Sequence, residues 1–201
     1  MNALADGAPT PGGGSAAAYA GAMGAALVAM VARLTLGKKK YADIQEQMLA
    51  ILDETEVLRK KLTAAVEDDA VAFERVMSAF RLPKDTKEQI ADRAESIRKA
   101  TIHAAEVPLE TARLSVRVME LAFQAAQLGN PNAITDAGTG AAMAQAALMG
   151  AGYNVRINIL DLDEVEAELL INQLEQIEKK AVRVNQELHA ILEERGGLSL
   201  G

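Results

Sequence analysis

One carboxylate in this chain stands on a hydrophobic face. The positions Ile44, Met48, Ile51, Thr55, Leu58, Leu62, Val66, Asp69, Phe73, Val76 and Phe80 recur in steps of three and four, which predicts one face of a single long helix. Asp69 falls between Val66 and Phe73 on that stripe, while Asp68 points well away and Glu67 lies on the flank. A charged carboxylate in a dry core costs several kcal/mol, so such a group either finds partners or titrates with a raised pKa. A raised carboxylate pKa is what general acid–base chemistry near neutral pH needs. Two readings stay open on the pattern: a catalytic acid/base, or a carboxylate bonded to Lys, Arg or backbone amides that only specifies the fold.

Other polar groups are placed where chemistry is possible. Asn154 and Asn158 share a helix face continued by Gly140, Ala144, Ala147 and Ala151. Two amides on a small-residue face could bind a flat heterocycle, or simply another helix. Gly12, Gly13, Gly14 and Ser15 open a helix, where free N–H groups attract anions or merely make a tight entry turn. A P-loop is excluded, because the Gly-Lys-Ser/Thr ending is missing. Lys38, Lys39 and Lys40 form a basic cluster that could receive a polyanionic tail or complement a helix C-terminus. Tyr41 beside them offers a stacking surface or ordinary packing. His103 and His189 both read as solvated surface residues, and no Ser-His-Asp or metal constellation is readable.

These residues must be positioned by helices. The first is expected from Ser15, as N-cap, to Gly37, and the second ends at Leu82-Pro83. Asp85-Thr86-Lys87-Glu88 reads as a capping-box start for a third, with inner face Ile90, Ala94, Ile97, Thr101 and Ala105. Pro108 kinks or divides it, and Gly129-Asn130-Pro131 breaks the chain. A fourth helix is expected from Asp136 to Ile159 and a fifth from Asp163. The whole predicts a single all-α bundle of long, mostly antiparallel helices over residues 1–201, with no linker or repeat.

Composition narrows the function. The 201 residues are 50% hydrophobic but only 3% aromatic, so the core is built of Ala, Leu, Val, Ile and Met. A net charge of −7 argues against nonspecific nucleic-acid binding. With no cysteine, a disulfide framework, a cysteine nucleophile and thiolate metal sites are excluded. The same absence suits a reducing compartment, and a cytoplasmic location without a signal peptide is expected. Ala16 to Ala32 is an uncharged run of seventeen residues, eleven of them Ala or Gly. That run gives little transfer energy, so a helix buried in protein is expected rather than a membrane span.

The stretch PTPGGGSAAAYAGAMGAALVAMVARLTLGKKKY (Pro9 to Tyr41) resembles the cyclodeaminase/cyclohydrolase family of folate enzymes, which also supplies the C-terminal domain of formiminotransferase-cyclodeaminases. DDAVAF (Asp68 to Phe73), LPKDT (Leu82 to Thr86), VPL (Val107 to Leu109), GNPNAITDAG (Gly129 to Gly138) and NVRIN (Asn154 to Asn158) follow in family order. Before PTPGGGS the chain departs from the family, keeping only a short remnant around Leu4-Ala5 of a longer amphipathic segment.

The resemblance implies an all-α homodimer with folate bound near the subunit interface and Asp69 as the catalytic acid. It implies hydrolysis of 5,10-methenyltetrahydrofolate, with no cofactor or metal. Formimidoyltetrahydrofolate cyclodeaminase is the nearest alternative, and a non-catalytic folate-binding helical protein a remoter one. Asp136 and Asn158 are expected to orient the pterin or the water. Lys38, Lys39 and the glycine-loop amides of Gly12, Gly13, Gly14 and Ser15 are expected to hold glutamate-tail carboxylates. Asn130, Tyr41 and Asn154 complete the expected binding set.

Overall fold

The computed structural model describes residues 1–199. Five long helices carry the fold: α1 (Gly13–Thr35), α2 (Gln45–Phe80), α3 (Lys87–Leu128), α4 (Ile134–Asn158) and α5 (Glu164–Gly196). Short 3-10 turns lie between all successive helices except α2 and α3, and no strand occurs among the described residues. The bundle expected from the helical periodicities is the bundle observed.

Helix α1 is the centre of the packing. It lies against α2, α3 and α4, and its buried face is nearly all Ala, Gly and Val. By length and composition it could cross a membrane, but most of it is buried against the other helices. Small residues let α4 run antiparallel beside it at close range: a Cβ on Gly24 would sit 2.5 Å from the Gly140 carbonyl oxygen. The main core adds Met48, Leu62, Met119, Leu121, Leu174 and Leu188, all essentially without solvent contact. Helix α5 covers only one side, through Leu170, Leu174, Ala181, Val184 and Leu188.

Several boundaries differ from expectation, each for a local reason. The α1 N-cap is Gly12, directly after which the chain is helical, and Ser15 turns its side chain elsewhere. The capping box at α3 is shifted by one residue. Thr86 accepts from the Gln89 amide, and Gln89 Oε1 accepts from the Thr86 and Asp85 amides, so Thr86 rather than Asp85 is the cap. Pro108 does not divide α3, which is continuous across it. Proline cannot donate to the carbonyl four residues back. Here that carbonyl, on Ala104, instead accepts 2.6 Å from Asn158 Nδ2 of α4.

Ile90 and Ala94 are exposed, contrary to the inner-face expectation. Helix α1 begins opposite Asp69, and α4 ends opposite Ala104. Beyond that level α3 meets only α2 and the first turn of α5, where Glu166 pairs with Arg98, so the tip of the α2–α3 hairpin around Ile90 and Ala94 has no third element to bury its apolar residues. No residue of α3 before Thr101 is buried.

Candidate functional site

Asp69 lies where α1 begins. Its Oδ2 is 2.8 Å from the Ser15 hydroxyl, which is also 3.0 Å from the Val66 carbonyl oxygen. The carboxylate is half-buried and Ser15 is buried. Gly14 makes the arrangement possible, because a Cβ there would stand 2.0 Å from Asp69 Oδ1. The glycine loop is thus neither a mere entry turn nor an open anion site: it leaves the space that the carboxylate fills. No side chain caps the start of α1, so the positive helix end faces this region.

Asp69 opens onto a cavity of about 230 Å³. Its walls are Pro9, Thr10 and the glycine loop on one side, Ala72, Phe73 and Val76 of α2 on another, and Ala104, Asn154 and Asn158 opposite. Phe73 and Val76 were readable only as core, yet their spacing from Asp69 along α2 puts them at the same mouth. Asn154 Nδ2 donates to the Gly150 carbonyl and Asn158 Nδ2 to that of Ala104. The bond to another helix therefore holds for one N–H of Asn158 only, since Asn154 bonds back within α4, while both Oδ1 atoms have no donor among the described residues. The cavity offers a carboxylate and two amide oxygens, a lining suited to a cationic or N–H-rich flat ligand.

The remaining expected residues are elsewhere. Lys38 and Lys39 follow the opposite end of α1, about 30 Å from Ser15 at 1.5 Å per residue. They are exposed, and within one chain the length of α1 keeps them apart from the glycine loop with which they were expected to hold glutamate-tail carboxylates. Asn130 and Asp136 lie at that far end too, because α4 runs antiparallel to α1. Asp136 is about 27 Å along α4 from Asn154. Asn130 is a corner residue: its amide N–H donates to the buried Thr35 hydroxyl, and its Oδ1 accepts from the Tyr41 hydroxyl at 3.2 Å. Tyr41 carries Lys40 over its ring, 5.5 Å from the centroid.

A larger groove, about 610 Å³, runs between α2 and α3 and includes Asp68, Arg75, His103 and Glu106. Its charges are mixed, and His103 faces Glu106 at 3.8 Å there. His189 is exposed on α5. Among the described residues no three His, Cys, Asp or Glu side chains are grouped to hold a metal ion.

With this geometry in place, the likeness to known proteins becomes specific. The family model for formiminotransferase-cyclodeaminase matches residues 1–185. This chain belongs to that family. It is 44% identical over 190 residues to a methenyltetrahydrofolate cyclohydrolase of Methylorubrum extorquens, covering 94% of this chain and 91% of the relative. It is 32% identical over 154 residues to the rat formimidoyltransferase-cyclodeaminase, covering 77% of this chain but 28% of that longer protein. The crystal structure of a formiminotetrahydrofolate cyclodeaminase from Thermotoga maritima superposes with a TM-score of 0.86 at 30% identity, covering 94% of this chain and 91% of that one. The fold is that of the family's cyclodeaminase-type chain.

Proposed function

We propose that the chain hydrolyses 5,10-methenyltetrahydrofolate to 10-formyltetrahydrofolate, with Asp69 as the acid–base residue and without a cofactor. One observation carries the reading: a half-buried carboxylate, positioned by Ser15 and Gly14, opens onto a cavity lined with oxygen acceptors. The likeness to the Methylorubrum cyclohydrolase, nearly end to end, supports the same reaction.

The substrate carries a cationic carbon between N5 and N10, which a carboxylate attracts. Water attacks that carbon while Asp69 takes one of its protons, and the C=N electrons return to nitrogen. The tetrahedral carbon then bears N5, N10 and OH. Protonated Asp69 gives its proton to N5 as that C–N bond breaks, and the hydroxyl loses its proton as the formyl C=O forms. One water is consumed and one proton released.

Ser15 suits both states of this residue. When Asp69 is ionised, the hydroxyl donates to it. When Asp69 is protonated, Asp69 donates to Ser15, which donates to the Val66 carbonyl. Asn154 and Asn158 present acceptors to the N–H groups of the pterin.

A cyclodeaminase reaction passes through the same tetrahedral carbon with NH2 in place of OH, and the likeness to the Thermotoga cyclodeaminase favours it as the second reading. Ammonia release from formimidoyltetrahydrofolate, faster than methenyl hydrolysis, would reverse the order. The deciding measurement is the decay of methenyl absorbance, corrected for spontaneous hydrolysis. Asp69→Asn is expected to lower kcat by about 10²–10⁴-fold. Equal rates in variant and wild type remove Asp69 from the chemistry. The protein is read as a cytoplasmic homodimer.

A further inference from the structure

Pro108 stands near the middle of the 42-residue α3, far from either end of the helix. Proline is the costliest residue in a helix interior, because it donates no N–H and its ring crowds the carbonyl four residues back. The helix nevertheless continues through it, and Pro108 is buried. What the proline changes is one carbonyl, that of Ala104, which loses its donor within α3 and is pressed out of the helix.

Ala104 lines the Asp69 cavity, and so does the residue that answers its carbonyl, Asn158 of α4, whose Nδ2 donates at 2.6 Å. A carbonyl oxygen only accepts, so the edge of the Asn158 amide that meets it is the NH2 edge. The amide is planar, with nitrogen and oxygen on opposite edges, so this one bond fixes where Oδ1 stands. Oδ1 is left at the cavity wall with no donor among the described residues. Asn154 is held differently. Its Nδ2 donates at 2.8 Å to the Gly150 carbonyl, four residues back in its own helix. That carbonyl also serves the backbone of α4, and any helical asparagine can make or drop such a bond. Of the two amides at the cavity, only that of Asn158 has an acceptor set aside for it.

We infer that Pro108 is a positioning residue for ligand recognition: by freeing the Ala104 carbonyl it turns the Asn158 amide so that the cavity offers an acceptor at that wall and not a donor. The ligand edge this selects is one that presents N–H, as a reduced pterin does, and not one of bare ring nitrogens or carbonyl oxygens. Pro108 itself meets no ligand; it acts through Asn158. The identity of the ring rests on the folate reading, whereas the orientation of the amide does not.

Pro108→Ala in the full-length chain returns an N–H to position 108, so the Ala104 carbonyl regains a partner in its own helix. Alanine is the best helix former, so a proline of purely structural weight predicts no loss of substrate binding in this variant. We expect instead that KM for methenyltetrahydrofolate rises about fivefold to tenfold, the weight of one neutral hydrogen bond, with kcat within about twofold of wild type. Asn158→Ala is expected to raise KM by a similar factor. Adding Pro108→Ala to it should raise KM no further, because the amide that the proline orients is gone. Additive effects of the two changes overturn the inference, and so does a Pro108→Ala KM within about twofold of wild type. A readout free of substrate is the Asn158 side-chain NH2 signal in 15N-labelled protein, identified by its loss in Asn158→Ala. Its bonded proton is expected downfield and slow to exchange in wild type, and at the free-amide position with fast exchange in Pro108→Ala. A signal that does not move overturns the positioning. A signal that moves, in a protein whose wild type leaves methenyltetrahydrofolate untouched, overturns the folate reading and keeps the positioning.

Discussion

The two ends of α1 use similar residues for different ends. At the Gly12 end, a glycine loop, a serine and two asparagines surround a cavity, and their polar atoms meet an acid. At the Lys38 end, a threonine and a tyrosine both bond to one asparagine, and none of the cavities described above lies beside them. Thr35 accepts from the Asn130 amide while donating to the Val31 carbonyl, and Asn130 Oδ1 accepts from Tyr41 and from the Asn132 amide. Polar residues with satisfied partners build a corner; polar residues with spare acceptors beside space build a site. The difference lies in which atoms remain unpaired, not in residue type.

The sharpest way to break this contrast, after loss of the carboxylate itself, is Gly14→Ala. The added methyl would occupy the position of Asp69 Oδ1, so the carboxylate must swing away. We expect kcat to fall about 10²-fold, since misplacement of a reacting group by an ångström costs that much. Circular dichroism is expected to show a helical content unchanged, because the loop is at a terminus. A kcat within twofold of wild type refutes the cradle.

Ser15→Ala comes next. It removes the hydroxyl that serves both protonation states but leaves Asp69 in place. A loss of about tenfold in kcat is expected, from one hydrogen bond to a charged group at ~1.5 kcal/mol, with KM little changed. A rise in KM at constant kcat would make Ser15 a ligand contact, as the sequence alone suggested.

At the other end, Thr35→Val is expected to cost stability and no rate. It leaves the buried Asn130 amide without an acceptor, worth about 1–3 kcal/mol by urea unfolding. A drop in kcat without a drop in stability would mean that the two ends are coupled.

Much of this contrast was legible in the sequence, and its limits have physical causes. Asp69 was marked because a helix stripe reports which side of one helix is apolar. The same logic marked Asn154 and Asn158. It could not say that Asn158 answers the carbonyl left free by Pro108, since that bond joins residues 54 apart in sequence. The expected first helix, Ser15 to Gly37, already held Lys38 a helix length from the Gly12 end, and the structure bears that length out. The pattern could not place Asn130, because a motif order along the chain carries no distance, and only the antiparallel packing of α4 on α1 puts Asn130 at the far end. Ile90 and Ala94 misled for a related reason: an apolar stripe states what a helix could bury, not whether a neighbour reaches that far.

The smallest effect expected lies between the two ends, where α2 is fastened to α3. Arg117 donates from Nε and Nη2 to the two oxygens of Glu54 at 2.6 and 2.7 Å, and from Nη1 to Glu120, which also receives Lys180 of α5. The hydrogen bonds from Arg117 hold the Glu54 carboxyl below its ordinary value near 4.5, against a smaller opposing effect of burial. A depressed folded-state pKa means that the folded protein binds the proton less readily than the unfolded chain. Its stabilisation is therefore complete above the unfolded value and is lost as pH falls through the folded one. Both side chains are more than a third exposed, so the pair contributes less than about 1 kcal/mol at pH 7. Glu54→Gln should then lower stability slightly at pH 7, with the difference from wild type shrinking below pH 4.5 and vanishing in stronger acid. Its kcat should match wild type throughout, because the bridge touches neither end of α1. A stability gap that instead widens in acid would show that Glu54 is stabilised in its protonated form, and that Arg117 is held by Glu120 alone.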